Sequence, residues 1–250
     1  MRRQTQLKDS DIKKLIKFVG YGPKCHVKIL FLGYEEHAPK GKKEYYKNIS
    51  ARMNFKPIMD LKEAHDRLGK AGCRNPFDCD GKNPVKVWNC AARFALEFAN
   101  HCQWSKRKIW SAYWRNHLGR KEGSTFLMEC DPIPKHKHAT NIHLPEGWDN
   151  DRIWNERKKA LLKRPKVLKS QFVIAYGEET KAKVQELFGV DKDGWQKRQK
   201  GKHQISFASK RRTHIAHVEF LGRGFAYKKG IPFIVDELVK RGKNRSRRRR

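Results

Sequence analysis

Several things are missing from this 250-residue chain, and each absence narrows what it can be. It has no run of about 18 consecutive apolar residues, so no membrane span is expected. Its opening stretch, MRRQTQLKDSDIKKL, has basic residues with no apolar segment behind them, so a secretory signal is not expected. A reducing cytoplasmic setting follows. The six cysteines (Cys25, Cys73, Cys79, Cys90, Cys102, Cys130) include no CxxC pair. Free thiols are therefore expected rather than disulfides or a zinc ribbon. No internal repeat is visible. Acidic residues are scarce: 26 Asp+Glu against 58 Lys+Arg leave a formal charge of +32. A surplus of that size calls for a polyanionic partner. The charge runs along the whole chain instead of gathering on one amphipathic basic helix, which favours nucleic acid over an anionic membrane. Nucleic acid is the partner expected on charge alone.

Hydrophobic residues make up 38% of the chain and aromatics 11%, enough for one substantial core. A single domain is expected over 1–241. It would start with a basic helix over 1–24, whose apolar side is Ile12, Leu15, Ile16 and Phe18, and a disordered basic tail would follow over 242–250. Apolar runs predict strands over 27–32, 124–130, 169–177 and 211–220. Helical spacing and stop signals predict helices over 60–72, 83–101, 150–163, 178–188 and 231–241. WQKRQKGKHQ, 195–204, reads as a basic connector. Strands alternating with helices predict a three-layer α/β/α sandwich around a mostly parallel, four-stranded sheet. In such folds a ligand sits at the carboxyl ends of the strands, here 33–39, 129–134, 177–179 and 217–224.

Four segments at those ends carry a resemblance. ILFLGYEEHAP resembles the glycine-and-proline water-activating loop that follows the first strand in the uracil-DNA glycosylase superfamily. FLMECDPIP resembles that family's base-reading segment, and FVIAYGEETKAKVQELFG the strand and helix before its last motif. THIAHVEFLGRGF resembles its histidine loop, which enters the minor groove. Order and spacing match over most of 25–241, but the strings GQDPYH, GEAPG and HPS do not occur. The resemblance implies a uracil-DNA glycosylase-like fold and a monomeric, monofunctional, cofactor-free enzyme that binds double-stranded DNA, flips out a pyrimidine nucleotide and excises its base, leaving an abasic site.

Residue by residue, it implies Glu35 as the carboxylate that orients water and stabilises positive charge at C1′, with Glu36 one position on as the alternative. Gly33 would close the strand at the pocket. His217 would donate to the leaving base, with His214 as its alternative on the other side of the strand. Leu221 and Phe225 would form a wedge, Arg223 would reach phosphate, and Arg211 and Arg212 would add DNA contacts. Where the family commonly has an asparagine, this chain reads Met128-Glu129-Cys130-Asp131. A carboxylate only accepts, whereas the exocyclic amine of cytosine donates. Glu129 or Asp131 therefore points to cytosine or a modified cytosine, such as the hydroxymethylated or glucosylated bases of some viral DNA, and so to antiviral defence. Phe77 could stack on the flipped base or pack into the core. The histidines of PKHKHATNIH (His136, His138, His143) suit a DNA-backbone contact better than a metal. Basic residues interleaved with tryptophans over 104–120 would add phosphate contacts. Two other classes stay open: a non-catalytic nucleic-acid binder, and a metal-dependent nuclease built on Glu35, Glu36 and the histidine loop.

Overall fold

The computed structural model describes residues 7–34, 42–79, 85–134, 144–201, 203–219, 221 and 227–247. Its first half contains α1 (Asp9–Lys17), β1 (Gly20–Tyr21), β2 (Ile29–Gly33), α2 (Lys42–Arg52), β3 (Ile58–Met59) and α3 (Leu61–Lys70). Next come α4 (Lys86–Phe98), α5 (Arg107–Asn116), β4 (Thr125–Glu129), α6 (Asn150–Leu162) and α7 (Pro165–Leu168). The last part holds β5 (Phe172–Tyr176), α8 (Thr180–Phe188), β6 (Gln196–Lys200), β7 (His203–Lys210), β8 (Thr213–Val218) and α9 (Tyr227–Arg247).

Among the described residues the strands form one mixed sheet of eight in the order β3-β1-β4-β2-β5-β8-β7-β6. Pairing is parallel through β4, β2, β5 and β8, and again between β1 and β3. It is antiparallel where β1 meets β4 and through β6, β7 and β8. The expected four-stranded sheet is thus corrected to a larger and mixed one. Three of the added strands carry little apolar signal: β1 and β3 have two residues each, and every residue of β6, QKRQK, is exposed, whereas β7 buries Ile205 and Phe207. That stretch, expected to be a connector, is half of a hairpin with β7.

Side chains alternate across the sheet, as a period of two requires. Phe31, Leu127, Ile174 and Ala216 join one cluster, with Phe94 of α4, Trp114 of α5 and Ile234 of α9. Leu32, Met128, Ala175 and Ile215 join the other, with Trp154 of α6 and Val184 of α8. Both faces are covered by helices, which is why the central strands read as continuous apolar runs. Each fully buried Leu or Phe contributes roughly 1.5–3 kcal/mol, so these two layers hold the strand ends in place.

Two terminal expectations change. Among the described residues the N-terminal helix covers Asp9–Lys17, and the chain then turns through Phe18 and Val19 into β1. At the other end α9 runs on to Arg247, past Pro232 inside it, so most of the tail expected to be disordered is helical.

Candidate active site at the carboxyl edge of the sheet

The four parallel strands end together. Gly33 of β2 pairs with Glu129 of β4, and Tyr176 of β5 pairs with Val218 of β8. Backbone bonds extend the match past the strands: Cys130 N donates to Gly33 O at 2.9 Å, Asp131 N to Tyr34 O at 2.6 Å, and Gly177 N to Val218 O at 3.1 Å. Neighbouring strands lie roughly 4.8 Å apart, so the ends of β2 and β8, with β5 between them, stand about 10 Å apart. The segments carrying Glu35 and Glu36, and Arg223 and Phe225, follow these two ends. All four residues lie outside the described residues, as does the histidine-rich segment 135–143.

At this edge Glu129 lies across Gly33. A Cβ on Gly33 would stand 2.0 Å from the Oε2 of Glu129 and 2.7 Å from its Cδ, so any side chain there would displace the carboxylate. The Tyr176 hydroxyl, from the strand beyond Gly33, donates to Glu129 Oε1 at 3.1 Å. The carboxylate therefore spans three strands because the middle one ends in glycine. Asp131 instead shapes the turn after β4, where its Oδ1 accepts from Ile133 N at 2.9 Å.

A buried cation fixes the backbone beneath Glu129. Arg157 of α6 donates through Nη1 to Ile16 O and Phe18 O, and through Nη2 to Val19 O at 3.2 Å and Glu129 O at 2.9 Å. Burial pushes its pKa down to about 10, with the nearby Cys130, Asp131 and Glu129 acting in the opposite sense. It therefore stays charged at neutral pH, and its donors hold the N-terminal segment against the end of β4. Neither Arg157 nor Tyr176 stood out in the sequence. Tyr176 could have been found as the polar-tipped residue ending the apolar run FVIAYG at the edge where ligands bind. Arg157 sits among ordinary helix cations in NDRIWNERKKALL and has no such signal.

The other described candidates are placed differently. His217 is buried, at 5% exposure, and lies on the Ile215 face of the sheet, whereas Glu129 lies on the Leu127 face. Its Nε2 stands 2.9 Å from Gly177 O, and a carbonyl only accepts, so Nε2 carries the proton and donates. Burial lowers its pKa, and it packs edge-on to Trp195 at 6.2 Å between ring centroids. Its expected role as donor to the leaving base is corrected to a brace between β8 and the Gly177 turn. His214 faces the opposite way and bonds Ser209 Oγ through Nδ1 at 2.9 Å. Leu221 is 0% exposed and belongs to the core, so it is not an exposed wedge. Phe77 packs with His65, Trp88 and Trp114, which is the core alternative. Arg211 and Arg212 form the turn between β7 and β8, at the amino end of β8. That turn is on the far side from Val218, roughly 17 Å along the strand, so the pair does not line this edge. Within 104–120, Trp110 and Trp114 are buried while Lys106, Arg107 and Lys108 are exposed.

Fold and site together define an α/β domain with an oriented carboxylate at the carboxyl edge of its parallel strands. Comparison of the chain with family models, with curated proteins and with solved structures finds no match.

Proposed function

We infer that this chain is a monofunctional DNA glycosylase of the uracil-DNA glycosylase type, acting on cytosine or a modified cytosine. The observation that carries this reading is the Glu129 carboxylate lying over Gly33 and held by Tyr176. Each carboxylate oxygen accepts more than one hydrogen bond, so Tyr176 orients the group and leaves acceptor capacity for a ligand. The exocyclic amine of a cytosine-type base donates to such a group, whereas the O4 of uracil would meet a second acceptor. A hydroxymethyl or glucosyl substituent on C5 leaves that amine in place.

Hydrolysis then needs a water held at C1′. Glu35 or Glu36, in the segment that follows β2, supplies the carboxylate that orients it and balances the oxocarbenium-like charge. The water oxygen bonds to C1′ as the C1′–N1 bond breaks; one of its protons stays on the new C1′ hydroxyl and the other ends on the departing base. No cofactor enters. The formal charge of +32 supports DNA as the polyanion. Where the base is a viral modification, the product is an abasic site in invading DNA, which is a form of antiviral defence.

The test is release of base from duplex oligonucleotides carrying cytosine, hydroxymethylcytosine, its glucosylated form or uracil, read as alkali-sensitive sites. Release from a cytosine-type base is expected, and Glu129→Gln should lower it about 100-fold and shift preference toward uracil. Release of uracil alone by the unaltered chain would refute the base assignment. Unchanged turnover in both Glu35→Gln and Glu36→Gln would refute the hydrolytic roles. Strand breaks that need added divalent metal but no alkali would favour a nuclease, and DNA binding without abasic sites a non-catalytic binder.

A further inference from the structure

The amino edge of the sheet carries a concavity of its own. It is an open groove of about 940 Å³ between the end of α6, α7, the end of α8 and the β7–β8 turn. Its walls include Leu162, Leu168 and Phe188, and Lys169, Arg211 and Arg212 stand among its lining residues. Leu162, at 49% exposure, is the large hydrophobic most open to solvent among the described residues. It ends α6 just before Lys163, Arg164 and Lys166, all three exposed.

The turn that borders this groove runs against its own backbone preference. Lys210 and Thr213 close a two-residue connection formed by Arg211 and Arg212, and Arg211 adopts φ 52°. Two-residue hairpin turns favour glycine or asparagine at a left-handed position. Here an arginine holds it, and both arginines project into solvent. Strain retained at a surface turn is a pointer to function when nothing in the fold requires it. Beside the pair, Lys210 meets Asp191 at 3.5 Å, an ion pair that involves neither arginine.

The geometry points to a docking groove for an acidic segment of a partner protein that carries aliphatic or aromatic anchors. Charge complementarity selects the acidic partner: the rim offers exposed cations in Lys169, Arg211 and Arg212, with Arg211 held at a positive φ. The apolar walls select one with hydrophobic anchors, which a bare phosphate backbone lacks. The concavity selects a segment that can enter it, which the surface of a bilayer cannot. The groove opens at the opposite end of the strands from Glu129, so partner and DNA would bind at separate ends.

The experiment measures binding of a fluorescein-labelled synthetic peptide, leucines along one side and glutamates along the other, to the full chain at physiological salt. Arg211→Asn with Arg212→Gly, and separately Leu162→Ser, should each weaken binding about tenfold. Arg211→Asn alone should also melt at the same or a higher temperature, because asparagine adopts a positive φ more readily than arginine. A control peptide with serine in place of leucine should bind about tenfold more weakly to the unaltered chain. Equal binding of both peptides, or no binding of either, would overturn the proposal. So would turn variants that keep the peptide but lose the salt dependence of DNA binding, an outcome that would assign the groove to nucleic acid.

Discussion

The two ends of the parallel strands are built on different principles. At the carboxyl edge a negative group is set on a strand end from which the side chain has been removed. Gly33 leaves room, Tyr176 holds the carboxylate, and Arg157 secures the backbone below. At the amino edge cations are offered on a strained turn beside an open apolar groove. Buried and multiply bonded groups define one position closely, which suits reading a small, flat base. Exposed cations over a groove admit many chain conformations and suit a flexible segment. A chain with so large a positive surplus has thus kept an ordered carboxylate where chemistry is proposed and open positive charge elsewhere.

Substitutions can break that contrast. The largest effect is expected from Arg157→Met, which would leave the carbonyls of Ile16, Phe18, Val19 and Glu129 without their buried donor. Each unsatisfied buried acceptor costs about 1–3 kcal/mol, so chemical denaturation should show a loss of at least roughly 3 kcal/mol. Arg211→Asn at the amino edge should show no such loss.

Gly33→Ala comes next. Displacing the carboxylate should reduce base release by about 100-fold, close to 2.7 kcal/mol in the barrier, with the circular dichroism of the fold retained. Retained activity would mean that Glu129 does not read the base. Tyr176→Phe removes one hydrogen bond and keeps the ring, so a loss of about 1 kcal/mol, near fivefold in rate, is expected in the same assay.

The smallest effect concerns pH. Burial holds the folded-state pKa of His217 below its ordinary value of 6.5, so the unfolded chain takes up the proton first. Stability from this residue is therefore complete above about 6.5 and declines as pH falls from there toward the lowered folded value. His217→Asn should flatten that part of the decline in melting temperature. An unaltered slope would show that the brace to Gly177 O does not set the pH response.

The central strands were legible because both of their faces are buried and their apolar runs are unbroken, as in ILFLG and FVIAY. The helices α3, α6 and α8 fell close to their expected spans for the same reason, an apolar stripe bounded by caps or glycine. The Asp60 side chain caps α3 by accepting from Lys62 N and Glu63 N, a local signal that survives in the fold. The β6 half of the β6–β7 hairpin was not legible, since a strand with every residue exposed has no alternation to read, whereas β7 sets Ile205 and Phe207 two residues apart and carried a readable signal. The place of Glu129 at the end of an apolar run was legible, but its support by Gly33, Tyr176 and Arg157 was not.

Local pattern was enough to mark which segments lie in the sheet interior, roughly where the parallel strands end, and how large the positive surplus is. Those properties depend on periodicity and net charge, which neighbouring residues set between themselves. Which side of the sheet His217 faces, and the burial of Leu221, depended on register and on packing between segments far apart in the chain. So did the reach of Arg157 to the N-terminal segment, at a separation of 141 residues from Ile16. A one-residue change in register reverses every side chain on a strand, and no local pattern sets the register of a strand against partners distant in sequence.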